Sequence, residues 1–286
     1  MEQNINNKNK HIGIWIGIIV LGIVLIVVGA ICGSAFYSEK SEERETYSKT
    51  FESVDINNIE VDSGLINLKI EKLQDNSDQY IGINGTDLIK NRLKCEVKNG
   101  TLTIEYKRKW FDFFQFQFLD WDNDTADANI TITVPNKEFN KIDVDGDVGT
   151  TEIDSIEVAE FDFDGGVGEN SFTNLKVSRK ADINLGVGKT SIVESSFNRS
   201  DIDVGVGKFD FSGKLNGDTD IDGGVGSVTM DIDGYKLDYN INYNKGVGDV
   251  EINGSDLASS NANIKHRIDL DCGVGEVKLN FKGSNY

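Results

Sequence analysis

The sequence predicts an all-β protein: a single-stack β-solenoid with coils of about 20 residues, preceded by one N-terminal transmembrane helix. Three observations carry this. A Gly-Val-Gly unit recurs at near-constant spacing, apolar and polar residues alternate on both sides of each copy, and residues 12–36 contain no charged side chain.

Residues 1–11 carry Lys8 and Lys10 and are expected to form a short cytoplasmic tail. The segment IGIWIGIIVLGIVLIVVGAICGSAF, residues 12–36, has the length that a span requires and exceeds the apolar region of a cleaved signal peptide. The expected topology is a single pass, N-terminus inside, with the bulk of the chain outside the cell at the cell membrane. Gly13/Gly17 and Gly29/Gly33 have the small-xxx-small spacing that lets two such helices approach, so self-association through this segment is one expectation. Residues 37–50, YSEKSEERETYSKT, are polar and charged and read as a juxtamembrane linker.

The solenoid is expected over residues 51–286. An imperfect unit, IEVDSGLINLKI (59–70), opens it with Leu65 in the place of the central valine. Residues 71–135 then break the repeat and read as an irregular or capping region. Within it lies the aromatic insert KRKWFDFFQFQFLDW, residues 107–121. Trp110, Phe111, Phe113, Phe114, Phe116, Phe118 and Trp121 are candidates for partner binding, because exposed aromatic patches mark contact sites. The same residues suit a plug on the open end of the stack.

Seven regular units follow, centred on Val148, Val167, Val187, Val206, Val225, Val247 and Val274, with steps of 19, 20, 19, 19, 22 and 27 residues. Four residues before the valine stand Val144, Phe163, Ile183, Ile202, Ile221, Tyr243 and Leu270. Five after it stand Ile153, Phe172, Ile192, Phe211, Met230, Ile252 and Leu279. Most units add a third apolar spot, such as Ile156/Val158, Leu175/Val177, Phe197, Leu215 or Leu257. Such a unit makes one coil that buries one face, with stacking completing the backbone hydrogen bonds. The glycine after the valine is present every time, as Gly149, Gly168, Gly188, Gly207, Gly226, Gly248 and Gly275. Glycine permits the corner, and the valine is expected to point inward. A phosphate-binding loop would need a following helix, whereas strand patterns flank these glycines on both sides.

Two further positions are always Asp or Asn. Five residues before the valine the chain has Asp143, Asp162, Asp182, Asp201, Asp220, Asn242 and Asp269; three before, Asp145, Asp164, Asn184, Asp203, Asp222, Asn244 and Asp271. In-register stacking makes two columns of carboxylates. Unit charges about 4.8 Å apart repel by roughly 0.9 kcal/mol even in water. Relief is expected from salt, from Lys189 and Lys208, from raised pKa values, or from a bound cation, for which calcium is the candidate. Asp and Asn also suit turns and soluble edges with no ligand at all.

With 48 acidic against 29 basic residues and a net charge of −19, the chain is a poor partner for nucleic acid or anionic lipid. Cys32, Cys95 and Cys272 lack metal-site spacing, and pairing of Cys95 with Cys272 stays open. The two histidines, His11 and His266, are too few for a histidine metal centre and form no catalytic triad. The acids repeat uniformly, with no unit singled out, so no enzyme activity is expected and polysaccharide cleavage is the weak outsider.

NGTLTIEYK (99–107), ANITITVPNKEF (128–139) and KIDVDGDVGTTEI (141–153) resemble the bacterial "putative adhesin" domain of unknown function, the toastrack-type β-solenoid. The resemblance spans about residues 51–286 and implies a membrane-linked binding or adhesin-like module at the cell envelope. The alternative it implies is an envelope-stress sensor acting through a membrane partner. The family defines no catalytic residues or cofactor.

Overall fold

Alternation on both sides of a glycine pair folds as one long strand bent at a corner. The computed structural model describes residues 43–73, 79–107, 128–254 and 266–283. Five such strands form the middle of the stack: β8 (Glu138–Asp154), β9 (Glu157–Thr173), β10 (Lys176–Phe197), β11 (Ser200–Leu215) and β12 (Asp218–Ile232). They pair in parallel with equivalent residues opposite one another, so Val148, Val167, Val187, Val206 and Val225 form one row. The apolar positions that flank the corner line the core. Val144, Phe163, Ile183, Ile202 and Ile221 are buried on one side, and Ile153, Phe172, Ile192, Phe211 and Met230 on the other. The third apolar spot is buried too, at Ile156, Val158, Leu175, Val177, Phe197 and Leu215; Leu257 lies outside the described residues.

The ends depart from sequence order. β13 (Tyr239–Asn244) and β14 (Val247–Gly254) form the Val247 coil, while β15 (His266–Asp271) and β16 (Val274–Phe281) form the Val274 coil. β12 pairs with β15 and β16, which in turn pair with β13 and β14. The last coil in sequence is therefore inserted between the two before it. This explains the two long steps of the repeat: the chain first skips a layer, using a 3-10 turn at Lys236–Asp238, and later returns to fill it. The inserted coil is the more apolar one. It buries Ile268, Leu270, Val277, Leu279 and Phe281, whereas Tyr243 of the outer coil is 55% exposed and Ile252 only partly buried, against the expectation that both lie in the core.

The same device operates upstream. β2 (Asn58–Asp62) and β3 (Asn67–Lys72) form the imperfect coil, with Leu65 bridged to Val148. This coil sits between β8 and a further coil made by β6 (Thr101–Tyr106) and β7 (Asn129–Val134). Residues 71–135 thus contribute a full coil, which corrects their reading as irregular or capping. Antiparallel strands do flank it: β4 (Tyr80–Ile89) lies against β7, β1 (Arg44–Glu52) against β4, and β5 (Leu93–Lys98) against β6. β1 starts inside the segment read as a linker, because Tyr47 and Phe51 pack against the core. Lys137 holds the turn after β1, donating from Nζ to the Ser53 and Ile56 carbonyls at 2.7 and 2.5 Å.

No helix among the described residues is long and apolar enough to cross a membrane, and segment 12–36 lies outside them.

Candidate functional site

The two Asp/Asn columns form in register. One runs Asp143, Asp162, Asp182, Asp201, Asp220, Asp269, Asn242; the other runs Asp145, Asp164, Asn184, Asp203, Asp222, Asp271, Asn244. Their electrostatic strain is relieved from within the fold. Lys141 bridges Asp143 and Asp162 at 2.8 and 2.6 Å, and Lys180 bridges Asp182 and Asp201 at 2.7 and 3.6 Å. Arg267 bridges Asp220 at 3.6 Å and contacts Asp269. Three cations thus clamp the first column pairwise. The hydrogen bonds that Lys141 donates to Asp143 and then Asp162 raise its pKa well above the ordinary lysine value, and the one that Lys180 donates to Asp182 raises Lys180. Lys208 pairs instead with Asp210, past the corner. All three clamping residues stand seven positions before a central valine.

The second column is relieved less completely. Asn184 donates to Asp164 at 2.8 Å, but Asp203, Asp222 and Asp271 follow one another. Partial burial first, then the charges of Asp203 and Asp271, raise the Asp222 pKa above the usual carboxylate value. Below the unfolded-state pKa both states are protonated and nothing is lost; as pH rises through the raised folded-state pKa, the folded state alone bears the strain. Asp222→Asn is therefore expected to stabilise the protein at pH 7 and to make no difference at pH 3. The side chain is exposed, so solvent screening holds the gain to about 0.5 kcal/mol. Denaturant midpoints at the two pH values measure it.

No group of three or more His, Cys, Asp or Glu among the described residues could hold a metal ion. Calcium takes six to eight oxygens, and Lys141, Lys180 and Arg267 already offset about half of the carboxylate charge in the first column.

The central valines are the main surprise. Val167, Val187 and Val247 are 37%, 48% and 58% exposed and Val148, Val206, Val225 and Val274 are half-buried, so the row lies on the outer side and not in the core. Between inward Val204 and inward Phe209 the alternation changes parity, and Val206 falls on the outward side. The glycines explain the corner as expected. Gly149, Gly168, Gly188, Gly207, Gly226, Gly275 and Gly248 stack in one column. The valines consequently form an apolar ridge between strips of bare backbone. The indentation beside it, lined by Gly186, Val187, Gly205 and Val206 among others, has room for about one water (≈ 10 Å³).

Other candidates fare differently. Trp110, Phe111, Phe113, Phe114, Phe116, Phe118 and Trp121 lie outside the described residues. In sequence, the insert that carries them falls between β6 and β7. Cys95 and Cys272 are free thiols, on β5 and after β15, near opposite ends of the stack, which removes their pairing. His266 Nδ1 accepts a hydrogen bond from the Gly217 N–H at 2.8 Å, tying the inserted coil to its neighbour.

The profile of the toastrack family DUF4097 matches residues 56–286, most of the chain. The chain belongs to this family. The toastrack fold is also seen in a solved "putative adhesin" from Bacteroides fragilis NCTC 9343. That structure is 19% identical, covers 83% of this chain and 98% of its own, and superimposes with a TM-score of 0.52. A "putative adhesin" from Parabacteroides distasonis ATCC 8503 is 14% identical over 83% of this chain and 98% of its own, with a TM-score of 0.45. A protein of the same organism named "putative lipid binding protein" is 14% identical, covers 83% and 98%, and has a TM-score of 0.38. No curated protein matches this toastrack chain.

Proposed function

We propose that this toastrack protein is a binding module of the adhesin-like kind, displayed outside the bacterial cell from the apolar segment 12–36. The valine ridge is its contact line. The observation that carries the reading is the ridge itself: a continuous apolar row on a chain of net charge −19, exposed along the stack at Val167, Val187 and Val247. Exposed apolar surface that stays contiguous is retained where something covers it. The indentations beside it are too small for a small-molecule ligand, which favours an extended partner such as an envelope protein or glycan. The uniform carboxylate columns fit a structural and solubilising role beside that ridge.

The test replaces Val187 and Val206 with Ser in the full chain and measures its retention by isolated cell-envelope fractions. The substituted chain is expected to keep its melting temperature within about 2 °C, because surface changes are worth little, and to lose at least tenfold in binding. Undiminished binding removes the ridge as the contact line. A partner recovered only when residues 1–36 are present would instead support relay of an envelope signal through the membrane.

A further inference from the structure

The two ends of the stack are treated unlike. At the first end the outermost strands carry charge, Arg44, Glu45 and Lys49 on β1 and Lys94, Glu96 and Lys98 on β5, the usual protection against pairing with another chain. At the far end, β13 pairs only with β15 and β14 only with β16 among the described residues. The outer backbone groups of this coil therefore face away from the stack with no described strand to meet them. β13 reads Tyr-Asn-Ile-Asn-Tyr-Asn and has no charge, and the charges on β14 are matched, Asp249 by Lys245 and Glu251 by Lys278. Tyr243 and Val247 stand out from it, 55% and 58% exposed.

We infer that this end coil is a docking edge for a second copy of the same chain. The occupant follows from charge. Two molecules of net charge −19 repel, and a coil carrying the usual pair of aspartates would set carboxylate against carboxylate across the joint. Only the Val247 coil has Asn in both column positions, at Asn242 and Asn244. Although it is sixth in sequence, it is this coil that the fold places last in the stack. Asn242 donates one amide hydrogen inward to Asp269 Oδ1 at 2.8 Å. An amide has a second hydrogen and an acceptor oxygen, so it is self-complementary towards another Asn. Two identical edges related by a two-fold axis pair antiparallel and satisfy each other's backbone, closing the assembly as a dimer.

The experiment measures the mass of the full chain in detergent by light scattering at about 50 µM. Wild type is compared with Asn242→Asp/Asn244→Asp and, because the double variant also loads the column of its own coil, with Tyr243→Lys, which changes only an exposed ring. Circular dichroism checks that both remain folded. The expected result is a dimer for wild type and a weakening of at least tenfold in the dimer dissociation constant for both variants. A monomeric wild type overturns the inference, as does a dimer that both variants retain, which would place self-association in residues 12–36 or another surface.

Discussion

Gly207→Ala is expected to destabilise the protein by about 4 kcal/mol, as is the same change at its stacked equivalents Gly168, Gly188 and Gly226. Gly207 has φ +140°, in a region essentially closed to residues with a Cβ, which alone costs about 1–3 kcal/mol. A Cβ there would also lie inside contact distance of the Gly188 carbonyl oxygen and backbone nitrogen on the coil below. Backbone cannot step aside without opening the ladder between β10 and β11. Gly205→Ala meets the carbonyls of Leu185 and Gly186 in the same way at an ordinary φ, so it isolates the crowding from the dihedral strain. Val206→Ala is the matching control. Because the valine faces outward, its loss is expected to cost less than about 1 kcal/mol. Urea midpoints of the three variants measure the order. A valine more costly than the glycines would mean that the corner is turned inside out.

Phe172→Ala is the second large effect, about 3–5 kcal/mol. Phe172 is fully buried and meets the edges of Phe161 and Phe163, with ring centroids 5.6 and 4.9 Å away and interplanar angles of 81°. Edge-to-face pairs add to the area that each ring removes from water. The coils on either side are tied by continuous ladders and cannot collapse into the space left, so the cavity persists. Thermal unfolding is expected to show a midpoint lowered by several degrees and to retain a single transition if the stack melts as one unit. A two-step transition would show that the coils on either side of β9 unfold separately.

The period of the repeat was enough to read coil number, strand positions and register across the middle of the stack. Apolar residues at fixed distances from each valine can share a face in only one register, since a slip by one residue turns every side chain over. Ile183, Ile202 and Ile221 fall opposite one another for that reason. The two carboxylate columns were legible on the same ground. Their relief was not, because a lysine seven residues before a valine acquires meaning only when the next coil brings a second aspartate beside it, as Asp162 does for Lys141.

What the sequence by itself determined is therefore the coil: its length, its inward positions on each side of the corner, and the glycines without which adjacent corners could not approach. The tertiary structure alone decided two things. One is the side on which the valines emerge, since alternation changes parity between Val204 and Phe209 and either choice satisfies the pattern locally; burial of Thr151, Thr190, Phe209, Val228 and Val277 in one row settles it. The other is the order of the coils. Parallel ladders form equally well between any two similar coils, so hydrogen bonding does not rank them. Burying Leu270 and Phe281 and leaving Tyr243 and Gly254 at the edge removes more apolar surface from water, and this places the last coil inside the stack.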